Sequence, residues 1–101
     1  MTFDFLELFN AVGRSQKPVF DNYKPADSLD TEITPDNLNL DSLDVTLVTV
    51  ILAEAYDIPP ELEPNWPTQT IRTIHDFIME HKRRNPEDEY ATIQDLVKDL
   101  S

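Results

Sequence analysis

The chain has no cysteine among its 101 residues. That excludes a disulfide framework, thiolate chemistry and a cysteine-ligated zinc. Glycine is almost as scarce, with Gly13 the only one, so no glycine-rich phosphate loop can be built. Cations are few: 8 Lys and Arg stand against 20 Asp and Glu, for a formal net charge of −12. Between Lys24 and Arg72 there is no Lys or Arg, while Asp27, Asp30, Glu32, Asp36, Asp41, Asp44, Glu54, Asp57, Glu61 and Glu63 fall in that stretch. Such a surface repels phosphate backbones and attracts basic protein patches over roughly a Debye length, ~8 Å at physiological salt. Nucleic acid is therefore not an expected partner. No apolar run reaches the ~20 residues of a membrane-spanning helix. The opening MTFDFLELF lacks the basic residues that begin a secretory signal. A cytoplasmic protein with no membrane span is expected.

What is present is enough apolar material, 40% of residues, for one domain with a modest core. Phe5, Leu6, Leu8, Phe9 and Val12 recur at near-helical spacing, predicting a first helix from about Thr2 to Val12 that ends at Gly13 in a left-handed cap. Residues 14 to 40 carry Pro18, Pro25 and Pro35 with many Asp and Asn, which reads as a long loop with local turns. The run from Asp41 to Tyr56 is rich in β-branched residues, and a strand over Val45 to Leu52 competes with a helix. Its length, the capping potential of Asp41 or Ser42 with Asp44 behind it, and the stop at Pro59 and Pro60 favour the helix. A helix apolar on nearly every side has to be buried on most sides or bind something. Pro59, Pro60, Pro64 and Pro67 surround Trp66 in a connector with room for one short helical turn. Thr70 then caps an amphipathic helix with the stripe Ile71, Ile74, Phe77 and Ile78, ending near Lys82, Arg83 and Arg84 as the helix dipole prefers. Asn85 is read as the cap of a final helix with Pro86 at its first position and Tyr90, Ile93, Leu96, Val97 and Leu100 as its core face.

The tetrapeptide DSLD occurs twice, at Asp27 to Asp30 and at Asp41 to Asp44. Pro35 follows Ser28 so closely that a helix starting there would last one turn. Ser42 opens the longest apolar run in the chain. An anionic group on Ser42 would sit at a helix N-terminus, where backbone N–H groups and the dipole favour it by ~0.3–1 kcal/mol.

With Asp41-Ser42-Leu43 followed by Asp44, the interval to Thr70-Ile71, and Tyr56 before Asp57-Ile58-Pro59, residues 33 to 78 resemble an acyl carrier protein. The resemblance implies an all-α fold: a small acyl-carrier-like helix bundle with a long first loop in residues 1–84, and an extra C-terminal helix as an extension in residues 85–101. It implies a carrier with no catalysis of its own. A phosphopantetheinyl transferase, using Mg²⁺ and coenzyme A, would attach 4′-phosphopantetheine to Ser42. Acyl groups would then ride as thioesters on the arm for lipid, polyketide or related biosynthesis. Acyl-transferring or ketosynthase-type enzymes with basic docking patches would meet Asp41, Leu43, Asp44, Leu47, Glu54 and Asp57, on a monomeric carrier.

Several positions depart from the family pattern. Asn39 stands where a glycine is usual and Leu40 where a small residue is usual; Leu47 and Ala53 replace acids on the docking helix, making that face more apolar. Together with the connector and the extension, these point to a specialised carrier with dedicated partners. The extension has three conceivable uses: covering apolar surface left by the connector, extending the docking face, or self-association.

Catalysis by the chain itself finds no support. His75 and His81 do not share the i, i+4 spacing of paired helical metal ligands; His75 is read as a flanking surface residue and His81 as packing near the helix end. The alternative in another class is an acidic helical inhibitor, immunity-like or a charge mimic, that blocks a basic partner.

Overall fold

A computed structural model describes residues 3–16 and 23–100. The predicted start at Thr2 and the part of the long loop around Pro18 lie outside the described residues. Those described form an all-α structure of five α-helices: α1 (Phe5–Ser15), α2 (Pro35–Leu38), α3 (Ser42–Tyr56), α4 (Ile71–His81) and α5 (Ile93–Leu100), with 3₁₀ segments at Pro60–Asn65 and Pro86–Asp88. The contest between strand and helix over Val45 to Leu52 is resolved as helix. No helix is long and apolar enough to cross a membrane among the described residues.

Helix α3 lies against α1, α4, α5 and the first 3₁₀ segment. That central position explains a helix apolar on nearly every side: Val48, Leu52 and Ala55 are buried against Leu8, Phe9 and Val12 of α1 and the Ile71, Ile74, Ile78 stripe of α4, within one core cluster. Phe77, expected in that stripe, is only partly buried and stacks on Trp66 instead.

Helix α1 starts later than the earliest turn the periodicity allows, because the Asp4 carboxylate accepts from the Leu6 N–H and caps it. It also runs on to Ser15. Gly13 does not end it: no glycine among the described residues has a positive φ, and Gly13 is helical. Its lack of a side chain has another cause. A Cβ at Gly13 would lie 2.6 Å from the Tyr23 ring, so the glycine makes room for Tyr23 to close over α1. Asn10 completes that closure by accepting from the Tyr23 hydroxyl at 2.7 Å and the Ala26 N–H at 2.8 Å, while its amide donates to the Ala26 carbonyl.

In the C-terminal region α4 ends at His81, beside the cationic cluster as expected, while the role of the cations and the extent of the final helix differ from expectation. Lys82 is already extended, and the following cations serve a different helix from their own: the N–H groups of Arg83 and Arg84 donate to the Tyr56 carbonyl, and the Arg84 guanidinium donates to the carbonyls of Ala55 and Glu54. They cap the carboxyl end of α3, whose last carbonyls need donors. The single final helix is broken. Asn85 makes no side-chain cap bond, since its Oδ1 accepts from Lys82 Nζ at 2.6 Å, and a second cap wins at Thr92, whose Oγ1 accepts from Asp95 N–H. Helix α5 packs on α1 and α3 with Leu96 fully buried, so it covers those helices rather than the connector.

Candidate functional site

The two DSLD segments have opposite roles. Ser28 lies in a turn in which its Oγ accepts from the Asp30 N–H at 3.1 Å and its carbonyl accepts from the Thr31 N–H. The Arg72 side chain donates to Asp30 Oδ1 at 2.7 Å, an exposed ion pair. That hydrogen bond, and then the guanidinium charge, hold the Asp30 carboxyl below its ordinary pKa. The backbone continues the attachment: Arg72 N–H donates to Leu29 O, Ile71 N–H to Thr31 O, and Ile33 N–H to Gln69 O. The first segment is thus a clamp over the start of α4, supplying acceptors to N–H groups that a helix N-terminus leaves open.

At the second segment the acids cap and the serine stays free. Asp41 Oδ1 accepts from Asp44 N–H at 2.9 Å and Asp44 Oδ2 accepts from Asp41 N–H at 3.2 Å, a reciprocal capping box. Asn39 enters it in the left-handed region at φ 58°, closing the one-turn α2 on Pro35 O, a conformation asparagine tolerates well. Ser42 is the first residue of α3 and exposed, and its hydroxyl has no hydrogen-bond partner among the described residues. Leu43, at 66% exposure, projects beside it, and Leu47 and Val50 continue the same face at about 40% each. These three make an unpaired apolar stripe on α3.

The other predicted site residues divide. Glu54 is exposed on that face. Ala53 is not: at 5% exposure it belongs to the core, and Val50 takes the place expected for it. Asp57 is exposed but sits in the left-handed C-cap of α3, where its N–H and that of Ile58 close on Ala53 O. Its carboxylate lies 4.0 Å from Arg83. Roughly 22 Å of helix, at 1.5 Å per residue, separates it from Ser42. The acids at the two ends of α3 therefore do not form one cluster.

Sequence reasoning misses the other wall of the site. A cleft of about 710 Å³ opens beside Ser42, between the N-terminal half of α3 and the proline-rich connector, and is lined by Ile33, Leu40, Ser42, Val45, Thr46, Thr49, Val50, Glu63 and Trp66 among others. Trp66 is 7% exposed, stacked on Phe77 at 5.0 Å, and its buried Nε1–H has no hydrogen-bond partner among the described residues. An unmet buried donor costs about 1–3 kcal/mol. The available sequence signal is the single tryptophan set among four prolines, which reads as a spacer when only the prolines are weighed.

The histidines are placed by packing. His75 is half-buried with its ring edge-on to Phe5 at 5.1 Å, docking α4 on α1 rather than flanking the surface; His81 lies against Phe77 at 4.5 Å, near the helix end as expected. No cluster of three His, Asp or Glu side chains that could hold a metal occurs among the described residues. The chain matches no family model, no curated protein and no solved structure.

Proposed function

We propose that the protein is an acyl carrier whose 4′-phosphopantetheine arm is attached to Ser42. The single observation that carries the reading is the exposed Ser42 hydroxyl at the first turn of α3, without a hydrogen-bond partner among the described residues and beside a cleft and an apolar stripe. The residues fit the group. Phosphodiester charge is favoured near the free N–H groups and positive dipole end of a helix, and the hydroxyl can be reached from solvent. When bound, the group supplies a thiol on a flexible arm, the point at which acyl groups are carried.

Ser42 Oγ acts as the nucleophile toward the β-phosphorus of coenzyme A: the new bond joins Oγ to that phosphorus, the pyrophosphate bond breaks, adenosine 3′,5′-bisphosphate leaves, and the hydroxyl proton passes to the transferase. Asp41 and Asp44 hold the first turn so that Ser42 projects from it. Leu43, Leu47 and Val50 give partner enzymes an apolar surface to bury, and the acidic surroundings speed encounter with basic patches. Asp57 and Glu54 contribute less, since Arg83 and Arg84 lie close to that end of the helix. The apolar stripe supports a specialised carrier, which will work poorly with generic fatty-acid-synthase enzymes.

The stripe also fits an acidic helical inhibitor of a basic partner, a reading that leaves the free serine without a role. Incubation with coenzyme A and a broad-specificity phosphopantetheinyl transferase separates the two. Mass spectrometry is expected to find one phosphopantetheine on the wild type; an unmodified wild type would refute the carrier reading.

A further inference from the structure

We infer that two copies of this chain pair through the face formed by α1 and α5, about a two-fold axis beside Ala11, with Glu7 of each copy against Arg14 of the other. The pairing is independent of what Ser42 carries.

A groove of about 470 Å³ runs between the two helices, lined by the partly buried Ala11 and Val97 and by the exposed Glu7, Arg14, Gln94 and Lys98 among others. The first turns of both helices share a second, smaller pocket, where Asp4 and Glu7 lie with Thr92 and Gln94. The helices are therefore parallel, and their carboxyl ends adjoin. Each carries an acid in its first turn and a base in its last, Glu7 and Arg14 on α1, Asp95 and Lys98 on α5. That order suits each helix dipole, but parallel neighbours set like ends side by side. An antiparallel neighbour sets opposite ends together.

The cations of this groove are also the ones left unengaged. Lys24 and Lys82 donate to oxygen acceptors, and Arg72, Arg83 and Arg84 each pair with a carboxylate. The side chains of Arg14, Lys98 and Glu7 make no hydrogen bond or ion pair among the described residues. Seven residues of helix, about 10 Å at 1.5 Å per residue, hold Glu7 away from Arg14 on its own helix. Turned antiparallel, the same spacing matches itself, and Ala11 at its centre is small enough for the two α1 helices to approach. Self-complementarity about a two-fold axis is the commonest basis of paired chains. The net charge of −12 opposes association, but the charged residues of the groove are positive on balance, and the remaining acids are screened beyond ~8 Å at physiological salt. No groove residue lines the cleft beside Ser42, so both serines stay open in the pair.

Sedimentation equilibrium at physiological salt should show the mass rising with concentration toward that of two chains. Glu7→Arg and Arg14→Glu should each weaken pairing about ten-fold, because symmetry turns two attractive contacts into repulsive ones. An equimolar mixture of these two variants should pair as well as wild type, since each supplies the charges the other now lacks. Both positions are exposed, so neither change should move the melting temperature appreciably. A wild type that keeps the mass of one chain at every concentration would overturn the inference. So would a pair that both reversals leave intact, which would assign association to another face such as Leu43, Leu47 and Val50, or reversals that weaken pairing with no recovery on mixing. Loading of Ser42 is read separately by mass, so a failure of the pairing leaves the carrier reading untouched.

Discussion

Asp27–Asp30 and Asp41–Asp44 are the same four residues in the same order, yet one is spent on holding the fold together and the other leaves its serine to solvent. In the first, the serine and the second aspartate are both engaged within the fold. Ser28 closes a turn on Asp30, and Asp30 reaches Arg72 across 42 positions of sequence. In the second, the two aspartates bond to each other's backbone, and that mutual capping relieves Ser42 of any duty. A serine next to a helix start is usually a cap; here the residue before it has taken the job. The difference is one of succession. Pro35 and the left-handed Asn39 restrict the chain after the first segment to a turn and a one-turn helix, whereas the second segment opens a helix of 15 residues.

The sharpest break between the segments is chemical. Ser42→Ala should abolish phosphopantetheine loading completely, and Ser28→Ala should leave one group per chain, read by intact mass. The reverse pattern would mean that the clamp, not the free hydroxyl, is the acceptor. The leucines should separate next. Leu29 is partly buried against the core, so Leu29→Ala should cost about 1–2 kcal/mol of stability in denaturant unfolding, below the range for fully buried leucines. Leu43→Ala should stay within ~0.5 kcal/mol, as exposed sites do, while lowering the loading rate through lost partner contact. For the first acids, Asp41→Ala should cost about 1 kcal/mol as a lost helix cap. Asp27→Ala, at an exposed position with no cap to lose, should be nearly silent in the same melts.

The smallest effect is the pH dependence of the clamp. Asp30 has a folded pKa below its ordinary value of 3.8, so its contribution is fully present above that value and fades as pH falls through the lowered one. Wild type should exceed Asp30→Asn in melting temperature at neutral pH, and the gap should close in acid below the ordinary carboxylate range. A gap that widened in acid would reverse the sign of the linkage. Both side chains are exposed and screened, so the gap should be small.

Much of this site is legible in the sequence because its causes are local. The capping box of Asp41 and Asp44, the cap at Thr70, and the isoleucine stripe of α4 each act within a few helical turns, and each stands where the pattern puts it. Gly13 defeats the pattern because a glycine after an apolar period fits a C-cap, while its actual reason, the Tyr23 ring, arrives from ten residues away. Ala53 falls on the core side rather than the docking side because a helix packed by neighbours on several sides has no moment to orient it. Asn85 has the composition of a cap, but Lys82 takes its oxygen.

Composition and local pattern were enough to determine that the chain is helical, where its long central helix begins, and which serine stands at that beginning. Only the tertiary structure decided what surrounds the serine. Arg84 reaches back 30 residues to finish α3, α5 settles on α1 and α3, and the connector brings Trp66 into a wall of the cleft. The reason is range. Caps and periodicity are settled by neighbours along the chain, but an exposed stripe, a cleft or an unmet donor is defined by what distant segments cover and what they leave open.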